Sequence, residues 1–344
     1  PMTPLSEYKD NPPLLPEELI HGILRRGHKM LISGSSKAGK SFLLMELCVS
    51  IAEGTKWLGF PCRKGRVLYV NLEIDPASCI NRFLKIYDAL HLPMNKSENI
   101  VIWNLRGHAV PLDQLVPKLV RRVRDQHFDA IVIDPIYKVI TGDENKASEM
   151  GQFCNQFDKI CTETGCSAIY CHHHSKGAQG NKRAMDRASG SGVFSRDPDA
   201  QLDMIQLELT EDIKNNLRDG KATAWRLESS LREFENIEPV NFWFEHPIHR
   251  LDTDGNLGEM PAQGTLEAGR MKNSHSKTAE ACAEEFRNAY QALNMDGNVT
   301  VSDMMGYLNV SDKTIYARLK KLDGEFILKK GRILKTGGAS KAFE

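Results

Sequence analysis

The sequence predicts an α/β fold in which a mostly parallel sheet is covered by helices, followed by a smaller domain of helices and one hairpin. Two patterns carry this expectation. Between about residues 28 and 174 short apolar runs alternate with longer amphipathic ones, as strands joined by helical crossovers do. Beyond a stretch from Asp252 to Lys277 that holds four glycines, one proline and few large apolar residues, the pattern changes to three helix signals and a ribbon.

Each element has its own reason. Strands are expected at Lys29–Ser33, Val67–Leu72, Ile100–Leu105, Ala130–Asp134 and Ser167–Cys171, with helices opening near Lys40, Pro76, Leu112 and Ala147. Ala130-Ile-Val-Ile133 is apolar without alternation, so it belongs in the middle of the sheet, buried on both faces. After a polar stretch to about Asp199, the runs Gln201–Leu209, Thr223–Leu227 and Val240–Phe244 read as antiparallel strands that extend the sheet. The chain thus divides into an extension (1–15), the α/β domain (16–251), a linker (252–277) and a last domain (278–344). There, Ala279–Leu293 is helical, Thr300-Val-Ser-Asp303 forms a capping box that opens a helix through Leu308, and Ser311 caps Asp312–Leu322. Residues 326–334 form a hairpin turning at Gly331. With a tight turn at Asn309-Val310, this order makes a winged helix-turn-helix.

The 344 residues include 45 Lys+Arg and 45 Asp+Glu, a formal net charge of zero, which argues against a uniformly basic coat for nucleic acid. That neutrality is an average. Between Lys313 and Lys341 nine Lys/Arg face only Asp323 and Glu325, a local +7, so the rest of the chain sums to −7. No apolar run reaches the ~18 residues of a membrane span, and the first residues lack the basic and apolar segments of a secretory signal. A cytoplasmic protein with no membrane partner is expected. The eight cysteines show no CxxC spacing and fall mostly inside apolar patterns, as reduced, buried thiols do.

One segment specifies chemistry. Gly34-Ser35-Ser36-Lys37-Ala38-Gly39-Lys40-Ser41 matches G-x-x-x-x-G-K-[ST] and lies between a strand and a helix signal. Glycines let the backbone curl so that successive N–H groups, through that of Phe42, point at phosphate oxygens. Lys40 supplies a charge to the β- and γ-phosphates of ATP, and the Ser41 hydroxyl can ligate Mg²⁺. Asp134, which ends the buried strand before Pro135, is the second group expected to hold Mg²⁺. Glu73 follows the strand Val67–Leu72 and is expected to orient or deprotonate the attacking water, whereas Asp75, before Pro76, suits a helix N-cap. The run His172-His173-His174 cannot converge on one metal, because consecutive strand residues point to alternate faces. One of these imidazoles is instead expected to sense the γ-phosphate, with Lys176 close by.

Taken in order, a phosphate loop, a strand ending Asn71-Leu-Glu73, a strand ending Asp134-Pro135 and a strand end of the form His172-His173-x-x-Lys176-Gly177 resemble the RepA-like branch of RecA-fold ATPases, over about residues 16–210. That branch includes hexameric replicative helicases of plasmids and relatives on phages and mobile elements. The resemblance implies a RecA-like P-loop core, ATP and Mg²⁺ at Lys40 and Ser41, Glu73 as catalytic residue, and His173, with His172 the close alternative, as phosphate sensor. It also implies a homo-oligomer, expected to be a hexamer, in which a neighbouring subunit supplies an arginine finger. Arg196 matches that position, and Arg187 matches a second arginine of the same loop. The C-terminal domain is not part of the minimal family pattern.

That last domain carries the DNA expectation. On the helix from Asp312, Ile315, Leu319 and Leu322 share one face and leave Lys313, Thr314, Ala317, Arg318, Lys320 and Lys321 outward. These residues can reach bases and phosphates, and Lys329, Lys330 and Arg332 at the wing can clasp the backbone. Two function classes follow: an oligomeric DNA-dependent ATPase or helicase of a mobile element, or an ATP-gated DNA-binding regulator or loader that does not unwind.

Overall fold

The computed structural model describes residues 2–174, 192–210, 213, 222–265, 279–294, 298–308, 310–322, 324–329 and 331–336. The chain divides into two compact units, residues 1–269 and 270–344.

In the first unit, strands and helices alternate as β1 (Lys29–Gly34), α1 (Lys40–Glu53), β2 (Val67–Asn71), α2 (Pro76–Ala89), β3 (Ile100–Asn104), α3 (Leu112–Val123), β4 (Ala130–Asp134), α4 (Ala147–Thr164) and β5 (Ser167–His173). A short helix α5 (Gly192–Arg196) leads into β6 (Ala200–Gln206), β7 (Thr223–Leu231), β8 (Val240–Glu245) and β9 (Ile248–Leu251). One nine-stranded sheet results, in the order β9-β8-β7-β6-β1-β5-β4-β2-β3. From β6 to β3 all neighbours are parallel; β6 to β9 are antiparallel. This is the mixed α/β architecture with a mostly parallel sheet that the pattern predicts.

Local chemistry explains the helix starts. The Asp75 carboxylate accepts from the Ser78 amide, and Pro76 opens α2 where a missing N–H costs nothing. α1 has no side-chain cap, which leaves its first amides open to an anion. Both faces of the sheet are covered. Val67, Tyr69, Ala130, Val132, Ile169 and Cys171 face one core with α1 and α2; Leu68, Val70, Ile131, Ile133, Ala168 and Tyr170 face the other with α3 and α4. β4 is buried at every position, as its unbroken apolar run requires.

Two expectations are corrected here. β9 carries no strand signal of its own, yet it closes the antiparallel extension against β8. Residues 252–265 are no free linker: Leu257 is fully buried with Leu207, Leu209 and Ala224, and the Gln263 amide donates to the Gln206 carbonyl at 2.8 Å. A single leucine in a Gly-containing stretch was enough to pin it.

The second unit contains α6 (Ala279–Leu293), α7 (Val301–Leu308), α8 (Asp312–Lys321) and the antiparallel pair β10 (Phe326–Lys329) and β11 (Arg332–Lys335), with Gly331 at φ +79° in their turn. The capping box forms: the Thr300 amide donates to Asp303 at 2.9 Å and the Asp303 amide to Thr300 Oγ1 at 3.2 Å. Ser311 caps α8 by accepting from the Thr314 amide. Phe286, Tyr290, Met304, Ile315, Leu319, Phe326 and Ile333 make its core. Asn309 of the expected turn lies outside the described residues. Among the described residues no helix is long and apolar enough to cross a membrane.

Candidate active site

Strand order assembles the site. β1, β5, β4 and β2 are consecutive neighbours running in the same direction, so their C-terminal ends bring Gly34, His173, Asp134 and Glu73 to one edge of the sheet. A cavity of about 680 Å³ opens there, lined by residues 36–42 together with Glu73, Arg82, Arg106, Asp134, Tyr137, Cys171, His173 and Phe244.

The loop from Gly34 turns into α1 with Lys37 at φ +64° and Gly39 at φ +81°. Gly39 is required twice over, because a Cβ there would also lie 3.2 Å from Phe244 and from His249. Lys40 folds back over the loop and its Nζ donates to the carbonyls of Gly34 (2.9 Å) and Ser35 (2.8 Å). Burial pulls its pKa below the ordinary lysine value, with the negative groups of the site opposing the shift.

Asp134 is 2% exposed, and both of its oxygens are held. The Tyr69 hydroxyl from β2 donates to Oδ2 and the Cys171 thiol from β5 to Oδ1. Burial pushes the pKa of both donors well up, Asp134 itself adding to the shift, so each keeps its proton for that bond. Glu73 is exposed at the mouth of the cavity. The Tyr137 hydroxyl, pushed up to about 12 by burial and by its hydrogen bond to Glu73, points to it.

The histidine run separates by face. His173 lines the cavity, with Nδ1 3.3 Å from Lys40 Nζ and its ring 5.6 Å from that of Tyr137. Burial first and then the Lys40 charge lower its pKa, which favours the neutral imidazole. His172, 3% exposed, faces the opposite side, against the Phe194 ring at 5.1 Å and 3.5 Å from Glu144. His174 turns to Ser33 (3.1 Å) and Asp203 (3.4 Å) inside the sheet. Of the two alternatives, therefore, His173 and not His172 meets the phosphate loop. Among the described residues no cluster of His, Cys, Asp and Glu has the form of a protein-only metal site.

Residues 3–179 match the profile of AAA_25, described as an AAA domain, over more than half of the chain. The chain belongs to this family. It is a P-loop ATPase, an enzyme that binds and hydrolyses ATP. Among solved structures, the ATPase domain of a phage helicase is 12% identical, with a TM-score of 0.45, and the match covers 63% of this chain and 81% of that one.

Other expected residues of this AAA-domain ATPase lie away from the cavity. Arg196 is exposed at the end of α5, and the residues that follow it are tied to the start of β1: Lys29 Nζ pairs with Asp197 at 2.8 Å, and the Asp199 amide donates to the Lys29 carbonyl. The phosphate loop leaves the other end of that strand, about 16 Å away at 3.3 Å per residue. Arg187 and the cations Lys176, Lys182 and Arg183 lie outside the described residues, as does Lys330. In the second unit Lys313, Lys320, Lys321, Lys329 and Arg332 are exposed, and Thr314 is half-buried beside Ser311. Arg318 departs from expectation: its side chain is 14% exposed and turns back to Glu285 of α6 at 3.3 Å. One turn before Leu322, it stands on the flank of the apolar face rather than opposite it.

Tyr137, Arg82, Arg106 and Phe244 were not singled out by motif. Phe244 shares the β8 alternation with Val240 and Phe242, which marks its face but not what that face meets.

Proposed function

We propose that this ATPase is a ring-forming, DNA-dependent enzyme of the RecA-like helicase type. The observation that carries its chemistry is the convergence of Lys40, Asp134, Glu73 and His173 on one cavity beside an uncapped helix start. The donor set fits a magnesium nucleotide: loop amides and a buried ammonium for phosphate oxygens, the Ser41 hydroxyl directly on Mg²⁺, and the Asp134 carboxylate, whose oxygens already accept two protein donors, through the ion's water. When bound, Mg²⁺ would neutralise charge on the β- and γ-phosphate oxygens.

The residues then take distinct tasks. Lys40 leaves its carbonyl partners for phosphate oxygens. Glu73, at the mouth and steadied by Tyr137, orients the attacking water and takes its proton. His173, kept neutral, reports whether the γ-phosphate is present by hydrogen bonding to it or to that water. Arg196 serves the site of a neighbouring subunit, since its place beside the far end of β1 does not serve its own.

The second unit, read as a winged helix, supplies DNA contact through Lys313, Thr314, Lys320 and Lys321 of α8 and Lys329 and Arg332 of the wing; the exposure of these cations on one helix and one hairpin supports it. ATPase rate measured with no DNA, single-stranded DNA and duplex, beside native mass and strand displacement, tests the reading. Stimulation by single strands with displacement supports it. Nucleotide-dependent duplex binding without displacement would replace it by a regulator or loader.

A further inference from the structure

One wall of the cavity comes from outside the phosphate-loop core. Phe244, near the end of β8, lines it, and the Phe42 ring at the start of α1 stands 5.6 Å away, tilted by 43°. The Arg82 guanidinium of α2 lies over the Phe42 ring at 4.7 Å, and His246 meets the same ring edge-on at 4.9 Å. Three elements distant in sequence thus bring an aromatic and cationic surface to the side of the phosphate loop where α1 begins.

The surface is held from behind. His249 of β9 stacks on Phe244 at 4.5 Å and 23°. Its Nδ1 lies 2.5 Å from Glu46 Oε1 of α1, and its backbone amide donates to both Glu46 oxygens at 3.1 and 3.2 Å. Nε2 is buried, without a hydrogen-bond partner among the described residues, and is turned toward Gly39. A buried carboxylate on the phosphate-loop helix therefore fixes the tip of the antiparallel extension, and with it the Phe244 ring.

We propose that Phe244, with Phe42 and Arg82, is the platform on which the base of the bound nucleotide stacks, and that the β8–β9 hairpin exists in this chain to present it. The proposal rests on the nucleotide reading of this cavity. The platform reads the flat face of a base rather than its edge, because no Asn or Gln side chain is among the described residues that line the cavity. Adenine and guanine nucleotides should accordingly bind with similar affinity.

The test is calorimetric binding of ADP, GDP and tripolyphosphate, the last lacking base and ribose, to the full chain and to Phe244→Ala and Phe244→Tyr. Loss of one stacking partner is expected to weaken ADP about tenfold to a hundredfold, with tripolyphosphate unchanged, near-wild-type binding by Phe244→Tyr, and ADP and GDP within about tenfold of each other in the wild type. Equal weakening of ADP and tripolyphosphate, or no weakening of either, would overturn the platform. So would a hundredfold preference for one purine. Wild-type protein that binds none of the three would overturn the nucleotide reading itself, a result distinct from the others.

Discussion

The Arg196 proposal makes a demand that a single subunit cannot meet. Its backbone lies beside the start of β1, about 16 Å of strand from the phosphate loop. In a ring with head-to-tail contacts, a complete site then needs Lys40 from one subunit and Arg196 from the next. Arg196→Ala is expected to bind nucleotide normally and to lose about 10³-fold or more in turnover, as arginine fingers do. Lys40→Ala should lose binding and keep its finger. In rings mixed equally from the two variants, half the subunits keep an intact loop and half of their neighbours offer the arginine, so about one quarter of all sites are complete. The assay is steady-state phosphate release after subunit exchange, at constant total protein. Recovery to about one quarter of the wild-type rate is expected; a mixture no faster than the two variants measured apart would refute a finger acting between subunits.

Three further outcomes follow. His173 titrates below its unfolded value of about 6.5, so the unfolded chain takes up a proton that the folded one does not, and its contribution is full above that pH and lost as pH falls through the folded value. Wild type should lose more melting temperature than His173→Gln between pH 7.5 and 5.5; equal losses would contradict the assignment. Tyr69→Phe leaves a buried Asp134 oxygen without its donor, which costs about 1.5–3 kcal/mol for a bond to a charged group, or roughly 3–12 °C at 2–4 °C per kcal/mol. A melting curve unchanged within a degree would show that the hydroxyl does not hold the carboxylate. Lys313→Ala with Lys321→Ala should reduce the slope of log affinity for DNA against log salt by about one for each phosphate these lysines neutralise; an unaltered slope would place the DNA surface elsewhere.

Much of the fold was legible because local chemistry and pattern agreed. Helices begin at Lys40, Pro76, Leu112 and Ala147, where Gly39, Asp75, Pro111 and Lys146 precede them, and β4 is as buried as its apolar run implies. Side-chain direction was less legible, because it depends on partners far away in sequence. The choice between His172 and His173 needed the register that pairs Ser33 with His172 and Gly34 with His173. Arg318 lies close enough to the apolar stripe of α8 to be captured by Glu285, a residue of another helix. Phe244 becomes part of the cavity only because β9 turns the hairpin back onto α1 through Glu46, and neither strand announces that contact in its own sequence. Motifs located the phosphate chemistry; the walls around it came from tertiary structure.

The central claim is that one cavity at the sheet edge both holds ATP and hydrolyses it. Its most direct test is nucleotide binding and turnover measured together for Lys40→Ala and Glu73→Gln. Lys40→Ala should lose both, while Glu73→Gln should keep binding and lose about 10²-fold or more in turnover, the share of a general base. Glu73→Gln turning over at the wild-type rate, or Lys40→Ala binding as tightly as the wild type, would contradict it.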